Sequence, residues 1–231
     1  MVFVLPDLSS AVFWAALWKI IIANIILSGD NAVVIAMACH NLSDKYRKPA
    51  IFFGSAGAIV LRIIFCAVIG YLLSVPYLKL VGGALLLWIG TQLLSGEEDG
   101  EGQDKEYGSM LAAVRTILLA DLVMSLDNVI AVAAAAQGSM VLLILGLAIS
   151  IPLVIFGSTL MIKLMERFPI IVMLGAALIG WVGGETIVQD AVLRDTLAAN
   201  PWLHYAAAAA GALLVVAGGR LLQRRARAAA H

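Results

Sequence analysis

Long apolar runs separated by short polar breaks dominate this chain. Runs of roughly twenty apolar residues have the length that crosses a bilayer as a helix. The pattern predicts seven such spans, at about residues 11–39, 50–73, 77–95, 110–136, 140–163, 169–189 and 202–222. The first run follows Pro6 and Asp7 instead of a basic segment and is too long for a signal peptide, so we interpret it as the first span. The chain is therefore predicted to be an all-α, polytopic membrane protein.

Composition supports this class. Hydrophobic residues make up 62% of the chain, charged residues only 13%, and the mean hydropathy is +1.00. Soluble domains are about 45–50% apolar and about 25% charged. The formal net charge is zero, which gives no indication of nucleic-acid binding. Cys39 and Cys66 match no metal or disulfide spacing and are expected to be small buried residues; the scattered His40, His204 and His231 argue against a zinc site.

The distribution of lysine and arginine predicts the orientation. With the N-terminus outside, eleven of these residues fall in predicted inside segments: Lys45, Arg47, Lys48, Lys105, Arg115, Lys163, Arg167, Arg220, Arg224, Arg225 and Arg227. Only Lys79 and Arg194 fall in outside segments. Because positive residues concentrate on the cytoplasmic side, an N-out, C-in topology follows.

A stretch near the start of the chain is repeated in the second half. Residues 28–32 (Ser-Gly-Asp-Asn-Ala) align with 125–129 (Ser-Leu-Asp-Asn-Val) at an offset of 97, and residues 82–92 resemble 175–185 at an offset of 93. Span 1 enters from outside and span 4 from inside, so the two copies cross in opposite directions. Three spans repeated with inverted topology are typical of secondary transporters, with the site at the repeat interface.

This repeat predicts four segments along the chain. They are a first three-helix repeat at 1–95, an acidic cytoplasmic linker at 96–109, a second inverted repeat at 110–190, and a seventh helix with a basic tail at 200–231. The C-terminal arginines are interpreted as an anchor on anionic lipid.

The duplicated motif carries the candidate chemistry. A carboxylate within a span costs roughly 2.5–3.5 kcal/mol on insertion scales, so it indicates function by default. Carboxylates, amides and hydroxyls without nearby His or Cys suit Mg²⁺, Ca²⁺ or Mn²⁺. The predicted metal ligands are Asp30, Asn31, Asp121, Asp127 and Asn128. Residues expected around the site or along the pathway are Asn24, Ser28, Arg62, Gln92, Ser125 and Glu185.

Several interpretations of these residues stay open. Three acids over-compensate a divalent charge, so exchange with H⁺ is one hypothesis, and Arg62 is a candidate counter-charge to one acid or a structural ion-pair partner. A lone Asn24 or Ser125 would ordinarily form an interhelical hydrogen bond, and Glu185 could snorkel to the outer interface. An opening of span 1 at Ser28-Gly29 would free backbone carbonyls as ligands.

The paired motif, on spans 1 and 4 of a seven-span chain, resembles the TerC family of integral membrane proteins, in its short bacterial branch. The resemblance covers about residues 14–222 and places the family's motif acids at Asp30 and Asp127, and its polar span-4 position at Asp121. It implies a multi-pass plasma (inner) membrane protein that exports Mn²⁺ as its substrate, with a fold related to the LysE-type exporters. The preference for Mn²⁺ over Ca²⁺ or Mg²⁺ comes from this resemblance.

Three functions compete. The leading hypothesis is a transporter, not an enzyme, with a metal ion and the lipid bilayer as its partners, no nucleic acid and no organic cofactor. A second is an accessory metal-delivery or sensor protein, and contacts with a secretion machinery or with further copies of the chain stay open. The third is an intramembrane aspartyl protease, whose two carboxylates share a proton, although a protease has no need of a matched Asp-Asn repeat.

Overall fold

A computed structural model describes residues 11–27, 29–72, 75–96, 103–136 and 139–229. These residues are predominantly helical, and no β-strand occurs among them. The helices are α1 Ala11–Leu27, α2 Gly29–Cys39, α3 Asp44–Leu72, α4 Leu78–Ser95, α5 Gln103–Ala135, α6 Met140–Arg167, α7 Ile170–Val188, α8 Arg194–Ala199 and α9 Trp202–Ala229. A short 3-10 turn, Ala191–Leu193, precedes α8.

Six helices in the described part are long and apolar enough to cross a membrane: α3, α4, α5, α6, α7 and α9. The all-helical, multi-pass prediction is therefore confirmed. The first predicted span corresponds to two shorter apolar helices, α1 and α2, and the predicted opening there falls in part on Ser28, which lies outside the described residues.

Four helices are longer than the hydropathy pattern predicts. Helix α3 begins at Asp44, before the predicted 50, and α6 ends at Arg167, after the predicted 163; the extensions of α5 and α9 are the longest. Helix α5 begins at Gln103, within the predicted linker 96–109, and α9 continues to Ala229, beyond the predicted end at 222. Both extensions contain good helix formers such as Gln, Lys, Glu, Arg and Ala. Since extending an existing helix adds one backbone hydrogen bond per residue, these polar segments continue the helix beyond the apolar stretch.

Packing divides the membrane helices into two groups. Helices α4, α7 and α9 pack extensively on one another and form the three-helix group. Helices α1, α2, α3, α5 and α6 form the five-helix group, in which α3 packs mainly on α5, while α1 and α2 pack mainly on α6. Contacts between the groups are fewer and involve mainly α4 with α5 and α7 with α2.

Glycines allow the close helix crossings in the three-helix group. A Cβ on Gly180 would overlap the carbonyl oxygen of Gly211, and one on Gly184 would overlap that of Ala207. Small residues at such crossings let backbones approach where lipid supplies no hydrophobic drive. The crossings also show that α7 and α9 run antiparallel, because the later residue of α7, Gly184, meets the earlier residue of α9, Ala207.

Asp190 joins the ends of two helices in the three-helix group. It follows α7, is 1% exposed, and accepts hydrogen bonds from the backbone N–H groups of Tyr77, Lys79 and Leu80 at the start of α4, each at 3.1 Å. Its Oδ1 also accepts from Val192 N–H at 3.0 Å. Burial raises the pKa of Asp190, but these four N–H donors outweigh it and hold the pKa below its ordinary value. The first-turn donors of α4 are thus capped from another helix.

Glycines also order the five-helix group. Gly54 and Gly57 on α3 face Ile117 and Leu118 on α5, so α3 and α5 run parallel. On the other side, Gly146 of α6 faces Ile20 of α1, and Gly157 of α6 lies near Ala32 of α2; α6 therefore runs parallel to α1 and α2.

An ion-pair cluster ties the ends of α2, α3 and α6. Arg47 Nη1 lies 3.1 Å from Asp44 Oδ1 and 3.0 Å from Glu166 Oε1, and Arg47 Nη2 donates to the carbonyl oxygen of His40 at 3.2 Å. The first of these pairs is local to α3, whereas the second joins α3 to α6. The cluster thus adds a polar connection within the five-helix group.

Candidate functional site

A buried ion pair joins α3 to α5 within the span of both helices. Arg62 Nη2 donates to Asp121 Oδ1 at 2.6 Å, and Arg62 Nε donates to Ser125 Oγ at 3.1 Å. The Ser125 hydroxyl in turn donates to Asp121 Oδ2 at 3.0 Å. The residues are 3%, 5% and 0% exposed, respectively. Charges at this depth are tolerated when they pair, and both carboxylate oxygens of Asp121 have donors here.

Local sequence explains this geometry. Asp121 and Ser125 stand four residues apart on α5 and therefore share a face of the helix. The close approach of α3 to α5 at Gly54 and Gly57 brings the Arg62 side chain, one to two turns further along α3, against that face. The structure thus gives Arg62 the ion-pair role that the sequence left open.

Asp30 and Asn31 belong to the first turn and a half of α2. Asp30 is half-buried and lies within Coulombic range of both Arg62 and Asp121. Its Oδ1 accepts a hydrogen bond from the Asn31 N–H at 2.8 Å. The acid of the first motif copy is therefore close to the buried ion pair of α3 and α5.

The Asn31 side chain is buried and has no hydrogen-bond partner among the described residues. It is 5% exposed, and within that part of the chain neither its Nδ2 nor its Oδ1 is hydrogen-bonded. Leaving a buried polar group unpaired costs about 1–3 kcal/mol, so such a group in a folded protein calls for a specific explanation. An amide oxygen beside a carboxylate is a ligand pair that suits a hard divalent cation.

Other predicted residues lie partly outside the described region. Asp127 lies in helix α5, but its side chain is not among those described, and the same holds for Asn24 in α1; Ser28 is outside the described residues altogether. Asn128 is half-buried on α5. The predicted meeting of Asp30 with Asp127 therefore stays a prediction. Among the described residues, no three His, Cys, Asp or Glu side chains are grouped closely enough to hold a metal ion.

Two predicted pathway residues lie in the three-helix group instead. Glu185 on α7 is half-buried; its Oε1 lies 2.9 Å from His204 Nε2 on α9 and accepts from Gln189 Nε2 at 3.4 Å. Gln92 is half-buried on α4. Glu185 is therefore engaged with α9, while Arg62, Asp121 and Ser125 form their own cluster.

Some polar contacts were not predicted from the sequence. Asp190 and the Arg47–Glu166 pair link helices through partners distant in sequence, and no local pattern identifies such partners. The local part of the Asp190 contact, its cap on Val192 two residues later, could have been recognised as an Asx turn. Both cysteines are buried and free, as expected.

Apolar helices of membrane-spanning length around buried charged and amide side chains define a multi-pass integral membrane protein. A family model described as "Integral membrane protein TerC family" matches residues 9–227, so the chain belongs to the TerC family. The resemblance noted from the paired motif is thereby confirmed.

Curated relatives include membrane proteins of two bacteria. The chain is 46% identical over 170 residues to "Uncharacterized membrane protein YjbE" of Bacillus subtilis (strain 168), covering 74% of this chain and 78% of YjbE. It is 27% identical over 196 residues to "UPF0053 inner membrane protein YgdQ" of Escherichia coli (strain K12), covering 77% and 81%. No solved structure matches the chain.

Proposed function

We propose that this protein transports a divalent cation, Mn²⁺, out of the cell across the plasma (inner) membrane by alternating access, with its site between span 1 and span 4. The amide of Asn31 carries the proposal, because it is buried beside Asp30 and no side chain or backbone group of the described residues satisfies it. A bound cation would satisfy its carbonyl oxygen.

Charge supports a modified ligand set. The sequence offers three carboxylates as metal ligands, Asp30, Asp121 and Asp127. In the structure, Arg62 neutralises the charge of Asp121. Asp30 then provides the described carboxylate for a cation, with Asn31 beside it and with Asp127 and Asn128 as proposed ligands from the second motif copy. Asp121 would bind metal only if its pair with Arg62 were broken.

The choice of metal rests on two different observations. Oxygen donors without His or Cys suit Mn²⁺, Mg²⁺ or Ca²⁺ alike. The choice of Mn²⁺ rests on the family resemblance. The inner-membrane location is proposed from the printed description of YgdQ as an inner membrane protein and from the positive charges of the predicted inside segments.

The packing supports the proposed inverted repeat. In the proposed repeat, span 1 (α1 and α2), α3 and α4 correspond to α5, α6 and α7, respectively. The equivalent of the α3–α5 contact is then the contact of α6 with α1 and α2, and both contacts are extensive. The helix directions suit this correspondence as well, since each of these pairs runs parallel while α4 and α7 run antiparallel. Together with α9, this arrangement corresponds to the proposed seven spans.

A cell-based experiment tests the proposal. Cells made sensitive to manganese would express the wild-type protein, Asp30→Asn or Asp127→Asn, with the exposed Asp195→Asn as a matched control. We expect the first two substitutions to raise intracellular manganese and abolish tolerance, while the control behaves as wild type. Loss of one charged interaction of about 1.5–3 kcal/mol predicts an effect of at least about tenfold. Unchanged tolerance in Asp30→Asn at normal expression would contradict the proposal.

A further inference from the structure

We propose that transport moves the five-helix group as one body against the three-helix group, and not one sequence repeat against the other. This inference rests on the proposed function and specifies its mechanism. The two predicted repeats, 1–95 and 110–190, each contribute helices to both groups. Helix α4 of the first repeat and α7 of the second pack with each other and with α9. A division along the repeats would therefore separate two extensively packed helix pairs, α4 with α7 and α3 with α5.

Polar contacts reinforce each group from within. In the five-helix group, Arg62 pairs with Asp121 across α3 and α5, and Arg47 pairs with Glu166 across α3 and α6. In the three-helix group, Asp190 binds the start of α4, Glu185 contacts His204 across α7 and α9, and Gln223 Nε2 of α9 donates to the Leu94 carbonyl oxygen of α4 at 2.6 Å. Each of these interactions joins helices of the same group.

Two close approaches between the groups are apolar. Gly82 of α4 faces Val123 of α5, and Gly175 of α7 faces Val33 and Met37 of α2. Buried aliphatic side chains continue across this boundary. Contacts of this kind are non-directional and individually weak, so one surface can slide over the other without breaking these ion pairs.

The chain between the groups offers a pivot. Helix α6 ends at Arg167, and α7 begins at Ile170, so only Phe168 and Pro169 connect them. Phe168 has non-helical backbone angles of φ −132° and ψ 88°. Hinge motions concentrate in a few residues at the ends of such elements.

This division has a consequence for the cargo. Asp30, Asn31, Arg62 and Asp121 all belong to the five-helix group, so the proposed site travels as a unit with its ion pair intact. Helices α4 and α7 provide the surface of the three-helix group against which the five-helix group moves. Exposure to the two sides then alternates without separating the ligands of α2 from those of α5.

Three cysteine pairs test which surfaces move. In a background with Cys39 and Cys66 replaced by Ala, G82C/V123C bridges the two groups, G54C/I117C lies within the five-helix group, and G90C/I179C lies within the three-helix group. A Cβ built on each glycine lies 3.6, 3.4 and 3.3 Å from the partner Cβ, respectively, close to the 3.5–4.5 Å typical of disulfides. All three pairs join residues 1–95 to residues 110–190, so a motion of repeat against repeat would be blocked by every one of them.

Manganese flux into proteoliposomes is then compared before and after oxidation, at matched cross-linking. We expect oxidised G82C/V123C to lose at least about tenfold in flux, a barrier increase of about 1.4 kcal/mol or more, and to recover on reduction. Both within-group pairs should retain their flux. Loss of flux in either within-group pair, or full flux in cross-linked G82C/V123C, would overturn the proposal.

A second readout does not depend on cargo. Spin labels at W88C on α4 and L160C on α6 report the distance between the groups, and labels at W88C and L213C on α9 report a distance within the three-helix group. All three positions are exposed on the surface. We expect two distance populations for the first pair and one for the second. Absence of flux in the reduced background would contradict the proposed function alone, whereas one population for both label pairs would contradict the motion.

Discussion

The guanidinium of Arg62 lies 2.6 Å from the carboxylate of Asp121, and the two side chains are 4% and 6% exposed. The pair has no net charge, and Ser125 completes the hydrogen bonds of the carboxylate. Its two members therefore depend on each other: removal of either leaves an uncompensated charge among the helices. Asp30 lies within Coulombic range of both.

This dependence predicts the outcome of a charge-neutral double substitution. Arg62→Gln or Asp121→Asn alone should lower the stability of the detergent-solubilised protein by about 3–5 kcal/mol, the usual cost of breaking a buried ion pair. The double variant should recover most of that loss. Thermal unfolding of the four proteins measures the coupling.

The same four proteins distinguish the roles of Asp121. If Asp121 is only the partner of Arg62, the double variant should also recover manganese flux. A stable double variant without flux would show that Asp121 takes part in binding the cargo, as the sequence first predicted.

The unpaired amide of Asn31 predicts a separation of stability from activity. Asn31→Leu removes a buried group that has no partner among the described residues, so stability should remain equal or rise by about 1–3 kcal/mol, while manganese flux falls. Ser55→Ala is the matched control, because Ser55 is also buried with an unpartnered hydroxyl; it should affect stability in the same direction and leave flux unchanged. A marked loss of stability in Asn31→Leu would mean that the amide is needed by the fold.

Asp190 predicts a stability effect that depends on pH. Asp190→Ala removes the cap of α4 and should cost about 2 kcal/mol at neutral pH. Because the folded protein lowers the pKa of Asp190 below its ordinary value of 3.8, this stabilisation is present above that value and is lost as the pH falls through the lower, folded-state pKa. The difference in unfolding free energy between wild type and variant should therefore shrink only in acid, below about pH 3.8.

A matched control for that experiment is Asp195→Asn, an exposed residue in α8 of the same connection. Its effect should stay within about 0.5 kcal/mol, as for most surface substitutions. A difference between wild type and Asp190→Ala that is independent of pH down to the acid limit would indicate that the carboxylate charge has no part in the cap.

Two glycine substitutions predict opposite outcomes. Gly184→Ala places a Cβ against the carbonyl oxygen of Ala207, so α7 and α9 must separate and the protein should fail to accumulate in the membrane. Gly29→Ala meets nothing within 4 Å and should accumulate as wild type. Quantitative immunoblotting of membranes measures both; equal accumulation would mean that the α7–α9 crossing tolerates a wider spacing.

Much of the fold could be predicted because a hydrophobic span is a local signal. Apolar runs and their polar breaks predicted the membrane-length helices from α3 onward to within several residues. The ends of α5 and α9 were missed because hydropathy reports where a helix meets lipid, not where its hydrogen bonds stop. The gathering of α4, α7 and α9 into one group depends on surface fit between distant segments, which periodicity does not show.

The sequence predicted which residues belong to the candidate site better than it predicted which of them contact one another. Duplication identified Asp30 and Asn31 as candidates, and the structure places Asp30 within Coulombic range of Arg62 and Asp121. The sequence named Arg62 as a counter-charge to one of three acids but did not identify which one, because Asp121 lies 59 positions away on another helix. Glu185 was grouped with the site as a buried acid, whereas its contact with His204 places it at the α7–α9 boundary.

The most direct measurement of the central claim is manganese flux through the purified protein alone in proteoliposomes, comparing wild type with Asp30→Asn. The protein should carry Mn²⁺ without any accessory component, and Asp30→Asn, folded to the same extent, should be at least about tenfold slower, as expected for the loss of one charged interaction of about 1.5–3 kcal/mol. Wild-type vesicles no more permeable to Mn²⁺ than protein-free ones, or equal flux through Asp30→Asn, would contradict the account.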